Sequence, residues 1–156
     1  MHGSSRLETR IPPDLLMILA AAIAWLLSRL APSLALDVPM HRALAVVIAL
    51  FGLAFSLGSR AAFKRADTTL DPLHPDHARR LVTSGVYRFT RNPMYVGQCL
   101  AVAGWCMWLD HPLAWVVPVA HVAFLTMFQI KPEERVLMAK FGEDYRVYRA
   151  RVRRWL

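Results

Sequence analysis

Cysteine is scarce in this chain, and acidic residues are few. Cys99 and Cys106 are the only two cysteines. They lie seven positions apart in one apolar stretch, where residues of a single helix cannot reach each other for a disulfide. No Cys/His spacing typical of a metal site occurs, so no metal is predicted. Against 11 Asp and Glu stand 19 Lys and Arg, for a formal net charge of +8. The sequence therefore excludes a disulfide framework and predicts a basic protein.

The sequence is rich in hydrophobic residues, and many of them lie in long apolar stretches. Hydrophobic residues make up 56% of the 156 residues, against about 45–50% in soluble proteins. Four stretches nearly free of charge approach the roughly 20 residues that a spanning helix needs. The rest of the chain is too short to cover all four with a polar shell. The sequence therefore predicts an all-α polytopic membrane protein, one domain over 1–156, with four transmembrane helices at about 13–34, 41–63, 93–109 and 112–130.

The polar remainder falls into three pieces: a flexible start over 1–10, a loop over 64–92 and a tail. Apolar residues recur at helical spacing in the tail, which predicts an amphipathic C-terminal helix over 132–150. Only Asp110 and His111 separate the last two apolar stretches. A connection that short predicts an antiparallel helix hairpin.

The cations are concentrated in three regions. Of the 19 Lys and Arg, 17 lie before the first apolar stretch, between Arg60 and Arg91, or after Ile130. Four spanning helices would put these regions on one side, and the positive-inside rule makes that side cytoplasmic. Anionic lipid headgroups account for the basic surplus, so membrane lipids and not nucleic acid are the expected partners. The oligomeric state is left open.

The loop and the tail both attach to the predicted hairpin, so their polar residues should meet. The segment Arg88–Tyr95 should therefore lie beside Glu133 and Glu134 at one membrane mouth. Turn-forming residues, aromatic rings, cations and paired carboxylates suit a ligand with a flat ring, hydroxyls and a sulfonium. The plainer interpretation is that the two acids complement a helix dipole and that the arginines extend to lipid headgroups.

These motifs resemble the isoprenylcysteine carboxyl methyltransferase and phospholipid methyltransferase superfamily of small integral-membrane enzymes, which use S-adenosylmethionine. The resemblance covers residues from about 70 to 156 and looks like the short bacterial members, which implies a bacterial inner membrane. It implies a cofactor pocket at the mouth of the last two helices, closed by the loop 64–92 and the tail, and open laterally to a lipid-like substrate. The matching residues are Leu81-Val82-Thr83-Ser84-Gly85-Val86-Tyr87, Arg91-Asn92-Pro93-Met94-Tyr95-Val96-Gly97, Glu133-Glu134 with Leu137, Phe141-Gly142-Glu143-Asp144-Tyr145 and Tyr148.

The resemblance also implies roles for particular residues. Asn92 stands where the eukaryotic enzymes usually have His, and an amide is no base, so this position is expected to bind the cofactor without moving a proton. The chemistry of methyl transfer adds three arginines and one acid. Arg91 and Arg135, with Arg88 third, are the candidates to orient an anionic acceptor, and Glu134 or a water held by it is the candidate base for an amine or a thiol. The expected cofactor-binding residues are Leu81, Val82, Gly85, Tyr87, Asn92, Pro93, Tyr95, Glu133 and Glu134.

The resulting hypothesis is a membrane methyltransferase that uses S-adenosylmethionine on a lipophilic or small acceptor, such as the carboxylate of an isoprenylcysteine-like compound. Methylation of a phospholipid amine or a small thiol stays open as an alternative. So does a non-catalytic scaffold that binds anionic lipid. Tyr87, Tyr95 and the acid pair argue against the scaffold, because binding by charge alone would not require those residue types.

The distribution of cations yields a test of topology. A reporter that is active only outside the cytoplasm, fused to the C-terminus, should be inactive, because four spanning helices return the chain to the cytoplasmic side. The same reporter fused after Asp110 should be active. A strongly active C-terminal fusion would contradict the predicted number of helices.

Overall fold

The computed structural model describes residues 11–35, 40–67 and 79–156, and within these ranges it contains helices and no strands. The predicted all-α class is thus confirmed for the described residues. The predicted flexible start over 1–10 and residues 68–78 of the loop lie outside them. The α-helices are α1 Pro13–Leu30, α2 His41–Arg65, α3 Pro93–Leu109, α4 Val116–Leu125 and α5 Lys131–Arg151.

Three helical stretches are long and apolar enough to cross a membrane: Pro13–Leu30, His41–Arg65 and Pro112–Arg151. Helix α3 is shorter, with 17 residues, or about 25 Å at 1.5 Å per residue. Eight of these 17 residues are buried by the neighbouring helices. The membrane-helix character of the chain is confirmed, while the number of four spanning helices stays a prediction.

Helix α1 ends earlier than expected. A 3₁₀ turn over Pro32–Leu34 follows Leu30, whereas the apolar run predicted a helix to residue 34. Pro32 explains the difference, because proline disfavours helical backbone in the residue before it and cannot donate to a continuing helix. Helix α2 begins at the predicted residue 41 and runs to Arg65, two residues beyond the predicted end.

The fourth apolar stretch and the tail form one continuous helical run, where the sequence predicted two helices. A π-helical turn over Thr126–Ile130 joins α4 to α5. Pro132 lacks an N–H, and its ring would clash with the carbonyl four residues earlier in a regular helix. The wider π turn immediately before it offers a way around that clash. Whether the tail is amphipathic at a membrane surface stays a prediction.

Helix α5 is bent at Gly142. The φ of +50° and ψ of −116° at this residue lie outside the helical region. A positive φ of this kind favours glycine, which has no Cβ to clash. The bend divides α5 into a first limb, 131–141, and a second limb, 143–151, and returns the chain toward the start of the helix.

Helices α2 and α3 approach closely because glycines face each other. A Cβ added to Gly97 would lie 2.3 Å from Ser56 Oγ and 2.5 Å from the Gly52 carbonyl oxygen. A Cβ added to Gly52 would lie 2.6 Å from the Gly97 carbonyl oxygen. Small residues let two helix backbones approach in this way, and van der Waals contacts then hold the pair within a membrane.

Side-chain contacts bring the starts of α1, α3 and α5 to one end of the bundle, here called the site end. Gln98 Nε2 donates to Asp14 Oδ1 at 3.0 Å, and Gln129 Nε2 donates to the Ile11 carbonyl at 2.8 Å. Tyr95 donates to Glu133 across the same end. These bonds position the polar residues that follow α4 beside those that precede α3.

The opposite end is closed by the connection between α3 and α4. Asp110 pairs with His41 at the start of α2, and the His111 ring lies 2.8 Å from the Ala31 carbonyl oxygen. Cys106 is buried and its thiol donates to the Ala114 carbonyl at 3.2 Å. Both cysteines are unpaired thiols, as expected from their positions on one helix.

The close approach of α2 and α3 should make Gly97 intolerant of a larger side chain. We expect Gly97→Val to destabilise the protein by about 3 kcal/mol, because overpacking forces the helices apart and rigid backbone blocks the new atoms. Thermal unfolding in detergent measures the loss. Ala54→Val, on the exposed face of α2, is the matched control and should leave the midpoint unchanged. Equal midpoints for both variants would contradict the packing described here.

Candidate functional site

The first part of the site is a hydroxyl–carboxyl pair at the start of α3. Asn92 precedes the helix and Pro93 is its first residue, so Tyr95 lies in the first turn. Tyr95 is buried, with 2% of its surface exposed, and its hydroxyl donates to Glu133 Oε1. The hairpin formed by α3 and α4 makes this contact possible, because it returns the chain to the site end before Glu133.

Glu134 is held between two guanidinium groups, an arrangement called the Glu134 clamp below. Arg154 donates from Nε to Oε1 at 3.0 Å and from Nη2 to Oε2 at 2.7 Å. Arg91 Nη2 lies 3.1 Å from Oε1. A bidentate guanidinium is the strongest partner that a carboxylate finds in a protein. The hydrogen bond to Glu134 raises the pKa of Arg154 above its usual value.

The C-terminal segment, residues 152–156, crosses the start of α3 and closes the site. Arg91 N–H donates to the Arg153 carbonyl at 3.0 Å. The Arg154 carbonyl accepts from Thr90 Oγ1 at 3.1 Å and from Asn92 Nδ2 at 2.8 Å. Trp155 then packs against the buried cluster that contains Tyr95. Asn92 therefore binds the backbone of the C-terminal segment in this structure.

Arg91 carries hydrogen-bonding capacity that the described residues leave unused. Its side chain is only 8% exposed, and within the described residues Nε and Nη1 are buried without a hydrogen-bond acceptor. Buried donors are rarely left unpaired, because losing their water costs free energy. A ligand that presents carboxylate or hydroxyl oxygens would satisfy them. S-adenosylmethionine carries both groups, so the residues present fit the predicted cofactor.

The strip 81–87 packs against the end of α2. Val82 and Tyr87 are buried beside Ala62, and the Tyr87 ring meets Phe63 edge to face at 5.5 Å. Burial raises the pKa of Tyr87 well above its usual value, so its hydroxyl stays neutral. Gly85 turns the chain with a φ of +62°.

Tyr148 connects this strip to the second limb of α5. Its hydroxyl donates to the Tyr87 carbonyl at 2.8 Å, and Tyr148 lies on the second limb of α5. Leu81, at the start of the strip, is half-buried. The predicted cofactor residues thus form two groups, one against α2 and one around Glu133 and Glu134, with the second limb between them.

The structure separates the three candidate arginines. Arg91 is buried in the Glu134 clamp, whereas Arg135 and Arg88 are exposed. Arg135 lines a groove of about 510 Å³ along α5 that also includes Glu134 and Arg154. Arg88 ends a 3₁₀ turn over Gly85–Arg88. The roles of Arg91 and Arg135 toward an acceptor stay predictions.

Sequence reasoning missed Arg154 and Thr90. Arg154 belongs to a run of terminal cations for which the sequence predicts only contact with lipid headgroups. No local pattern distinguishes it from Arg153. Thr90 adjoins the predicted motif, and its hydroxyl also accepts from the Asn92 N–H at 3.2 Å. A small hydroxyl residue two positions before Asn-Pro was the available signal, since such residues often bond to nearby backbone.

This arrangement defines a helical membrane protein with a polar site at one end of its bundle, and comparison with known families agrees with that description. The phospholipid methyltransferase family matches residues 40–144, about two thirds of the chain. The chain therefore belongs to the phospholipid methyltransferase family. The matched range includes α3, the strip 81–87 and both acids of the site.

Individual relatives match shorter parts of the chain. An uncharacterized protein of Haemophilus influenzae is 41% identical over 63 residues, which are 40% of this chain and 100% of the relative. The mouse protein-S-isoprenylcysteine O-methyltransferase is 39% identical over 72 residues, or 46% of this chain and 25% of that enzyme. A Delta(14)-sterol reductase of Methylotuvimicrobium alcaliphilum is 31% identical over 77 residues, which are 46% of this chain and 17% of that enzyme. The chain thus spans a quarter or less of the two named enzymes. No solved structure matches.

The Glu134 clamp predicts different effects for two adjacent arginines. Arg154→Gln should destabilise the protein by about 2 kcal/mol, because two charge-assisted hydrogen bonds are lost from a mostly buried carboxylate. Arg153→Gln should cost almost nothing, because the exposed Arg153 contributes its backbone carbonyl, which the variant retains. Thermal unfolding in detergent compares the two. Equal destabilisation by both variants would show that the clamp does not hold the C-terminal segment.

Proposed function

We propose that this protein is an S-adenosylmethionine-dependent methyltransferase that acts within a membrane on a lipophilic or small acceptor. Membership of the phospholipid methyltransferase family supports the reaction class. The observation that carries the proposal is the pair of buried Arg91 donors, next to the acid cluster, that have no acceptor among the described residues. A ligand that presents acceptor oxygens would complete that cluster.

The chain's own residues would hold the cofactor from two sides. Leu81, Val82, Gly85 and Tyr87 form one wall, and Asn92, Pro93, Tyr95, Glu133 and Glu134 belong to the other. Carboxylates suit the cationic sulfonium and the ribose hydroxyls, and Arg91 suits a carboxylate. When bound, S-adenosylmethionine supplies a methyl group on a positively charged sulfur that a nucleophile can attack. The protein then contributes orientation and exclusion of water.

A carboxylate acceptor agrees best with the Glu134 clamp. Both oxygens of Glu134 accept hydrogen bonds from guanidinium groups, so they are poorly placed to take a proton from an amine or a thiol. A carboxylate acceptor is already ionised and needs only a cation to orient it, a role open to Arg91 or Arg135. The 39% identity to a protein-S-isoprenylcysteine O-methyltransferase supports an isoprenylcysteine-like carboxylate as acceptor. The family name supports the alternative, a phospholipid amine.

The route to the site favours a lipophilic or small acceptor. Residues 152–156 and the second limb of α5 cover the site from the end of the bundle. The faces of α1 and α2 expose large apolar side chains such as Leu19, Leu26 and Leu50, as expected of helices that contact lipid. We place the reaction at the cytoplasmic face of a bacterial inner membrane, with both termini on that side, and a substrate dissolved in the bilayer would enter laterally.

Cofactor binding gives the most direct test of the proposal. The purified protein in detergent should bind S-adenosylmethionine in calorimetry, and Tyr95→Phe should weaken that binding about tenfold or more, because the hydroxyl that orients Glu133 is lost. Trp108→Phe, an exposed position at the far end of α3, is the matched control. No binding by the wild-type protein, or equal affinity in Tyr95→Phe, would count against the assigned site.

The acceptor class can be read from the same preparation. Incubation with methyl-labelled cofactor and a membrane lipid extract should place label in the lipid or small-molecule fraction. Base-labile label would indicate a methyl ester, and base-stable label a methylated amine or thiol. Label found only in a soluble macromolecule would contradict a lipophilic or small acceptor.

A further inference from the structure

The bend at Gly142 creates a groove between the two limbs of α5. Its volume is about 510 Å³. The second limb returns beside the first, since Arg154, just beyond it, reaches Glu134 near the start of the first limb. This feature, called the limb groove below, is lined by Lys131, Glu134, Arg135, Met138, Ala139, Arg149 and Arg154.

The limb groove carries an excess of positive charge. Four of its lining residues are cations and one is an acid, Glu134. That acid is already compensated, because it is bonded to Arg154 in the groove and to Arg91 outside the groove lining. Lys131 and Arg149 therefore add positive charge that Glu134 does not offset. A groove with this balance attracts an anion.

Part of the lining of the limb groove is apolar. Met138 and Ala139 contribute no charge or side-chain hydrogen-bond donor. A small hydrated anion would gain nothing from these two side chains, whereas the glycerol backbone or first acyl carbons of a lipid would cover them. A lining that combines cations with apolar side chains fits the headgroup region of an amphiphile.

The position of the limb groove agrees with that ligand. Lys131 directly follows Ile130, the buried last residue of the uncharged stretch. A spanning helix that ends there puts Lys131 and Arg135 at the level where lipid phosphates lie. The groove is thus expected to open toward the membrane surface, on the side of the bundle that carries the candidate site.

From these observations we propose that the limb groove binds the phosphate of an anionic phospholipid, with Lys131 and Arg149 as principal contacts. The proposal does not require that the bound lipid be methylated, and so it goes beyond the proposed function. A bound headgroup would bridge the two limbs and support the bend that brings Arg154 to Glu134.

The test is a calorimetric titration of the full-length protein in neutral detergent with short-chain phosphatidylglycerol. It is done without S-adenosylmethionine and measures the affinity for the lipid. Lys131→Gln combined with Arg149→Gln should weaken binding about thirtyfold, because two cations next to the phosphate are lost. Arg146→Gln combined with Arg151→Gln is the matched control. It removes the same charge from exposed positions of the second limb that do not line the groove, and it should change binding less than threefold.

Further titrations identify the source of the phosphate. Short-chain phosphatidylcholine should bind at least tenfold more weakly than phosphatidylglycerol, because its ammonium offsets the phosphate charge. Glycerol 1-phosphate should bind more weakly still, because it lacks the acyl carbons that cover Met138 and Ala139. An equal loss of phosphatidylglycerol affinity in both double variants would overturn the proposal. So would equal affinity of the wild-type protein for the two lipids, or for glycerol 1-phosphate and phosphatidylglycerol. Binding of S-adenosylmethionine, measured separately, reports on the proposed function independently.

Discussion

A nearly buried carboxylate is the constraint on which the rest of this structure depends. Glu134 is only 9% exposed, and an ionised carboxylate at such a place is costly without partners. Arg91 and Arg154 are these partners. Arg91 lies just before α3 and Arg154 just after α5, so they come from distant parts of the sequence. Because each guanidinium also needs an acceptor, the Glu134 clamp fixes three segments at once: the start of α3, the start of α5 and the C-terminal segment.

The clamp also explains why the site is left incomplete. Arg91 is held from one side by Glu134 and through its backbone by the Arg153 carbonyl, so its guanidinium is fixed while Nε and Nη1 lack acceptors among the described residues. Tyr95 and Glu133 pair beside it. A preorganised set of donors and acceptors of this kind binds a polar ligand without first rearranging, which lowers the cost of binding. In a family of methyltransferases, that is the property expected of a cofactor site.

The sequence was sufficient for features that arise from local rules. A two-residue connection between apolar stretches predicted the hairpin, and the hairpin predicted that Tyr95 would approach Glu133, although 38 positions separate them. The start of α3 at Pro93 followed from the preference of proline for the first turn of a helix. Pro32 likewise indicates that α1 ends before it. The prediction of a helix to residue 34 considered only the length of the apolar run and missed this.

Other features depend on tertiary contacts that no local pattern encodes. The sequence predicts a separate helix over 132–150, because the π turn that lets the preceding helix continue has no periodic signature. Arg154 and Arg153 are chemically identical neighbours, and only the path of the chain after α5 decides which of them reaches Glu134. That path depends in turn on the bend at Gly142 and on the Tyr148 hydrogen bond to the strip 81–87, both formed on folding.

A double-mutant cycle on Glu134→Gln and Arg154→Gln, followed by thermal unfolding in detergent, tests the central claim most directly. If the clamp joins the C-terminal segment to the site, the two substitutions together should cost clearly less than the sum of the single effects, with a coupling of about 1–3 kcal/mol. Strictly additive effects would mean that the two residues act independently, and the clamp would then not be what holds this site together.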